Sequence, residues 1–204
     1  ALKVVGKKPK QVRLVISGSG AAGTAIAELL MLFGVGDIIM LDSQGILHKG
    51  RNDASKEKRA LAEKTNKEQR VGGLDEALIG ADVFIGVSKG NTVQEHQVRS
   101  MAERAIVFAL ANPTPEIMPD IAKRAGAAVV ATGRSDFANQ INNSLGFPGI
   151  FRGALDHKVK KITDQMLIRA AKNLAALVKK PNAERIVPNT FDSAVVSAVA
   201  RAIR

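Results

Sequence analysis

The 204-residue chain contains no cysteine, tryptophan or tyrosine, and its only large aromatic side chains are seven phenylalanines. Without cysteine there is no disulfide framework, thiolate metal site or thiol nucleophile, and a reducing cytoplasm is the expected setting. No stretch approaches the roughly 18 uninterrupted apolar residues of a membrane span. The opening Ala-Leu-Lys-Val-Val-Gly-Lys-Lys lacks the apolar core of a signal peptide and reads instead as the tail of an earlier helix. Acidic residues are also scarce, 19 against 30 Lys and Arg, for a net charge of +11. That excess raises nucleic acid or an acidic membrane as a partner. Both are disfavoured: the basic residues are scattered, and Phe alone would be available for base stacking. A solvated basic surface that steers anionic ligands accounts for the charge.

A chain of this length buries about 70% of its unfolded surface, ample for one core. The expectation is a single domain over 1–204, with 1–11 as a helix tail and basic connector and 157–204 as a C-terminal helical segment.

The remaining residues are organised around Val12-Arg-Leu-Val-Ile-Ser-Gly18-Ser19-Gly20-Ala21-Ala22-Gly23, an apolar strand pattern entering a glycine turn, followed by an apolar helix pattern that ends at Gly34. In a dinucleotide-binding βα unit, Gly18 permits the tight turn, Gly20 lets backbone approach a pyrophosphate, and Gly23 lets helix pack on strand. A second strand over 37–41 leads into Asp42, 24 residues past Gly18. This is close to the spacing of about 20 expected of a carboxylate that binds the adenosine ribose.

Beyond Asp42 a highly charged stretch to Arg70 reads as surface loop and helix, with His48 a surface histidine. From Leu74 the pattern becomes regular: helix 74–79, strand 82–86, helix 92–100, strand 105–110, helix 117–124, strand 127–131. Such alternation implies βαβ crossovers, and near-continuous apolar strands such as Ile-Val-Phe-Ala-Leu imply a sheet covered on both faces. The expected fold is a Rossmann-like, doubly wound parallel α/β sheet with C-terminal helices. Ligands in such sheets lie beyond the carboxyl ends of the strands, which directs attention to Gly18–Gly23, Asp42–Gly45, Val87–Asn91, Asn112–Thr114 and Gly133–Asn143.

Gly86-Val-Ser88-Lys-Gly90 also matches a nucleophile elbow, with Asp156 and His157 following in an order a hydrolase triad can use. Adjacent positions make it hard for the acid to sit behind the imidazole, and the glycine turn would go unexplained. Ser88 is better placed along the nicotinamide side of a dinucleotide.

Two later stretches are more specific: Phe108-Ala-Leu-Ala-Asn112-Pro-Thr-Pro-Glu116, and Ala131-Thr-Gly-Arg-Ser-Asp-Phe-Ala-Asn-Gln-Ile-Asn142-Asn143-Ser-Leu-Gly-Phe-Pro-Gly-Ile-Phe-Arg-Gly-Ala-Leu-Asp156. With the glycine turn, they closely resemble the NAD-binding domain of malic enzymes, the decarboxylating malate dehydrogenases, in their compact bacterial and archaeal form, across essentially the whole chain. The resemblance implies that Gly18, Ser19, Gly20, Ala21, Ala22, Gly23, Asp42, Ser43, Ser88 and Asn112 surround the dinucleotide. It further implies that Asn112 and Asn143 hydrogen-bond L-malate, and that NAD, with NADP as the alternative, takes the hydride. Pruned of resemblance, the asparagines can equally be turn formers that bond their own backbone.

Malic enzymes oxidise malate, decarboxylate metal-bound oxaloacetate and protonate the enolate to pyruvate. In the family a Lys and a Tyr from a preceding domain act as base and acid, and ligands for Mg2+ or Mn2+ lie just upstream of the segment this chain resembles. This sequence has no Tyr. The expectation is therefore a fragment: the cofactor half of an active site, with no catalytic or metal-binding residue of its own, completed by an N-terminal catalytic domain in a homodimer or larger homo-oligomer. A non-catalytic NAD-binding module and a malolactic-type domain are the alternatives. Apolar surface is expected near Ala1–Val5 and around 142–151.

Overall fold

The computed structural model describes residues 1–204, which divide into two compact units, Ala1–Gly133 and Arg134–Arg204. The break follows the last strand, whereas the sequence reading treats the chain as one domain.

The first unit begins with a short helix, α1 (Leu2–Val5), then β1 (Arg13–Ser17), α2 (Ala21–Phe33) and β2 (Asp37–Asp42). A two-residue strand β3 (Gly45–Ile46) folds back on β2, and α3 (Lys56–Lys64) and α4 (Leu74–Leu78) follow. The rest alternates: β4 (Val83–Gly86), α5 (Glu95–Arg99), β5 (Ile106–Ala109), α6 (Pro119–Arg124) and β6 (Val129–Thr132).

The six strands form one sheet in the order β3-β2-β1-β4-β5-β6. All neighbours are parallel except β2 and β3, which pair antiparallel through Leu41↔Ile46 and Asp42↔Gly45. The sheet is thus mixed, as the all-parallel expectation did not foresee. The cause is local: Asp42 Oδ1 accepts the N–H of Gln44 at 2.9 Å, closing a tight turn that sends Ile46 and Leu47 back into the core.

Period-two alternation sends Val15, Ile39, Phe84, Val107 and Val130 to one face of the sheet, where they join Leu78, Val98 and Ala122 of α4, α5 and α6 in one buried cluster. Ile16, on the opposite face, meets α2 at Gly23. Helices on both faces explain why the strands read as unbroken apolar runs.

The second unit contains α7 (Phe147–Asp156), α8 (Asp164–Ala176) and α9 (Ala194–Ala200) around Ala170, Val199, Ala202 and Ile203. The helical segment starts at Phe147, ahead of the expected 157, because Pro148 occupies the first turn of α7 and favours helix initiation there. Phe147, Phe151 and Leu155 form an exposed stripe along α7, with the two rings 5.9 Å apart. At the other expected apolar surface, Val5 is instead buried. No helix is long and apolar enough to cross a membrane.

Candidate functional site

At the carboxyl end of β1 the backbone turns through Gly18, at φ 117°, into α2. A Cβ on Gly18 would lie 2.9 Å from the Val87 carbonyl oxygen, and one on Gly23 would lie 1.8 Å from the Gly18 carbonyl oxygen. These two positions close the turn onto β4 and onto itself. Gly20 is different: a Cβ there would meet nothing within 4 Å. Its backbone faces open space at the start of α2. The N–H groups of Ala21, Ala22 and Gly23 precede the first helical bond, from Thr24 N–H to the Gly20 carbonyl at 2.9 Å. Open space before N–H groups at a helix start suits a pyrophosphate.

That turn borders a cavity of about 530 Å³, a size appropriate to a cofactor, whose walls include Ser19, Asp42, Ser43, Lys58, Ser88 and Thr92. The strand order β2-β1-β4 sets Asp42 and Ser88 on opposite sides of the glycine turn. Ser88 Oγ lies 3.3 Å from Ser17 Oγ at the end of β1.

Asp42 is more heavily engaged than its strand-end position suggests. Arg51 Nη1 donates to its Oδ1 at 2.8 Å and Arg51 Nη2 to its Oδ2 at 3.3 Å, while Lys58 Nζ reaches Oδ2 at 2.6 Å. With the Gln44 N–H on Oδ1, each oxygen holds two donors, filling the four lone-pair directions of a carboxylate. Burial pushes the Asp42 carboxyl up, but hydrogen bonds from Arg51, Lys58 and the Gln44 N–H outweigh it and hold the pKa at about 2. Asp53 accepts from the same guanidinium, and the two carboxylates make Arg51 hold its own proton more firmly. A ribose hydroxyl donating to Asp42 must therefore displace one of these donors. Lys58, a third exposed and in the cavity wall, is the more accessible of the two cations; Arg51 is buried.

Asn112 does not end β5, as the sequence pattern suggests, but lies exposed in the loop three residues past Ala109; a cis peptide to Pro113 follows, and its amide lies against Gly133, where a Cβ would be 3.1 Å from Nδ2. In the second unit, Asn142 Oδ1 accepts the Ser144 N–H at 2.9 Å. Asn142 is thus a turn former, whereas the neighbouring Asn143 is exposed and caps nothing.

Beneath Ser88 lies a residue the sequence reading did not single out. Glu116 is fully buried, and its Oε1 and Oε2 accept the N–H groups of Ser88 at 3.2 Å and Ala111 at 3.0 Å. Burial pushes its carboxyl up, opposed by backbone N–H groups, those of Ala111, Glu116 itself, Ser88 and Leu110.

Comparison with known proteins places this geometry. The family model described as malic enzyme, NAD binding domain, matches residues 1–203. The chain belongs to the malic enzyme NAD-binding domain family. This malic enzyme domain is 48% identical over its whole length to the bifunctional malic/malolactic enzyme of Bacillus subtilis, of which it covers 50%. It is 43% identical to the NAD-dependent malic enzyme of Geobacillus stearothermophilus, covering 43% of that protein. The chain thus spans half or less of the length of these relatives. Its fold matches the crystal structure of the NAD-dependent malic enzyme of Thermotoga maritima with a TM-score of 0.95 and 43% identity, over 99% of this chain and 54% of that one.

The nucleophile-elbow reading of the malic enzyme domain fails on its own residues. Arg152 holds Asp156 at 2.7 Å, and His157 Nδ1 lies against the carbonyls of Gly153 and Ile203, so acid and imidazole do not pair. His48 Nδ1 accepts the Gly50 N–H at 3.2 Å. No three His, Asp or Glu side chains gather in a way that could hold a metal ion. Arg51 was hidden from sequence reading because its role depends on the turn at 42–45, which brings the charged segment back over the end of β2. Glu116 carried one available signal: an acid inside the otherwise apolar and proline-rich Ala-Asn-Pro-Thr-Pro-Glu-Ile run.

Proposed function

We propose that the cavity holds NAD, with pyrophosphate before Gly20 and the α2 N-terminus, adenosine ribose beside Asp42 and Ser43, and nicotinamide toward Ser88. The observation that carries this reading is the open space before Gly20, framed by a turn whose other glycines are sterically committed. The complete enzyme oxidises L-malate by hydride transfer to the nicotinamide and releases carbon dioxide and pyruvate. Asn112 supplies a neutral amide to malate. The base, the acid and the ligands of Mg2+ or Mn2+ come from a preceding domain, a reading supported by the family resemblance and by the lack of any Tyr in this sequence to serve as the acid. The complete enzyme is a cytoplasmic homodimer or larger homo-oligomer.

NADP is the second reading, favoured by the cations at Asp42. Lys58 and Arg51 can meet a 2′-phosphate if the carboxylate is masked.

Calorimetric titration of the 204-residue chain with NAD and NADP tests the site. Malate-dependent NADH formation is then compared between this chain and one extended upstream by a catalytic domain, with product identification separating pyruvate from lactate. The expected result is NAD binding without turnover by the chain alone and turnover by the extended protein. Metal-dependent NADH formation by the chain alone would overturn the assignment of catalysis to another domain. NAD binding without turnover in both would leave a binding module.

A further inference from the structure

Glu116 is a large, fully buried carboxylate without a cationic partner, and its two oxygens reach the backbone of two different strand-end loops. Oε1 takes the Ser88 N–H just after β4, and Oε2 takes the Ala111 N–H just after β5. The packing around it admits no substitute volume. A Cβ on Gly86, the last residue of β4, would lie 2.2 Å from the Glu116 carboxyl carbon. The same two loops interlock further along. Asn91 N–H donates to the Pro115 carbonyl at 3.0 Å and Val93 N–H to the Glu116 carbonyl at 2.9 Å. A Cβ on Gly90 would lie 2.5 Å from the Thr114 carbonyl oxygen.

A carboxyl group offers acceptor lone pairs at both oxygens; an amide of the same shape turns one end into a donor facing an N–H. The Ser88 loop lies on the opposite side of the glycine turn from Asp42, so it borders the nicotinamide half of a bound dinucleotide and not the adenosine half.

We propose that Glu116 is a positioning residue for the dinucleotide: it fixes the Ser88 loop against the end of β5 so that the nicotinamide half is held in place. This rests on the NAD reading above. Glu116 touches no ligand and acts through Ser88 and the loop that carries Asn112.

The test is calorimetric titration of wild-type chain, Glu116→Gln and Gly90→Ala with NAD and with AMP, which carries the adenosine half alone, alongside thermal unfolding. Gly90→Ala forces the two loops apart without altering the carboxylate. Glu116→Gln is expected to bind NAD about tenfold more weakly, the loss of one hydrogen bond to the carboxyl, and Gly90→Ala to bind it at least as weakly because the loops are parted, with AMP bound within about twofold of wild type in both. Wild-type affinity for NAD in both variants would overturn the proposal. So would parallel loss of NAD and AMP with a lowered unfolding temperature, because a merely structural carboxylate moves both ligands together. If Glu116→Gln does not fold, Gly90→Ala decides on the same criterion. A wild-type chain that binds AMP but not NAD, or neither, overturns the NAD reading itself and this inference with it.

Discussion

Arg51 grips the Asp42 carboxylate with both terminal nitrogens, at 2.8 and 3.3 Å, and both side chains are more than nine-tenths buried. The acid that the glycine fingerprint assigns to a ribose is thus also part of an ion network. On the proposed NAD reading, a ribose hydroxyl competes with Lys58 for a lone pair of Asp42.

Asp42→Asn should therefore shift preference toward NADP. Removing the charge leaves Lys58 in the cavity wall without a counter-ion and Arg51 held by Asp53 alone, while the amide oxygen can still close the turn to Gln44. NAD should bind about tenfold more weakly and NADP unchanged or tighter, measured by calorimetry with both cofactors. Lys58→Met should move the ratio the other way by freeing one Asp42 oxygen. Equal losses for both cofactors in Asp42→Asn would show that the carboxylate is structural only.

The same network sets an acid limit. Asp42 has a folded pKa of about 2 against an ordinary 3.8, so its contribution is complete above the ordinary value and is lost as pH falls through about 2. The contribution is at most about 2 kcal/mol, reduced by solvent screening around Lys58. Urea unfolding at pH 5 and pH 2.5 should show a loss that Asp42→Asn does not share. An identical pH dependence in the variant would remove Asp42 from the account.

Gly23→Ala should cripple the first unit. The added methyl would sit 1.8 Å from the Gly18 carbonyl oxygen, a contact that cannot be relieved without opening the turn from α2. A loss of about 3 kcal/mol or more is expected, at the upper end of overpacking costs, read as the shift in urea midpoint. A variant that unfolds like wild type would mean the turn has room the structure does not show.

In the second unit, Asn139 is buried, accepting the Ile186 N–H at 2.9 Å and donating to the Ala183 carbonyl at 2.7 Å. Asn139→Ala removes the partner of the buried Ile186 N–H and of the part-buried Ala183 carbonyl and should cost about 1–3 kcal/mol. Amide exchange at Ile186 should quicken in the variant; unchanged protection there would count against this pairing.

The strands at Arg13–Ser17 and Ile106–Ala109 and the helix Ala21–Phe33 could be read directly because their signals are local: apolar runs, a glycine turn and helical spacing within one segment. The antiparallel β3 could not. Two residues carry no periodicity, and the turn that creates it depends on an Asp42 side chain bonding its own backbone. The start of α7 was missed for a related reason, since Pro148 marks the edge of a loop or the first turn of a helix equally well.

At the candidate site, local sequence is enough to say where backbone must turn and where it can lie against open space. Gly18, Gly20 and Gly23 impose that through the absence of a side chain, whatever surrounds them. It also determined which strand ends carry Asp42, Ser88 and Asn112, because strand alternation is a local property. Only the tertiary structure decided which groups these residues meet. Arg51 and Lys58 reach Asp42 across 9 and 16 residues, and Glu116 reaches Ser88 across 28. Such partners are chosen by the parallel stacking of β1, β4 and β5 and by the turn after β2, which bring distant loops to one edge of the sheet. A charged side chain in sequence shows its charge, but its neighbours are set by the fold.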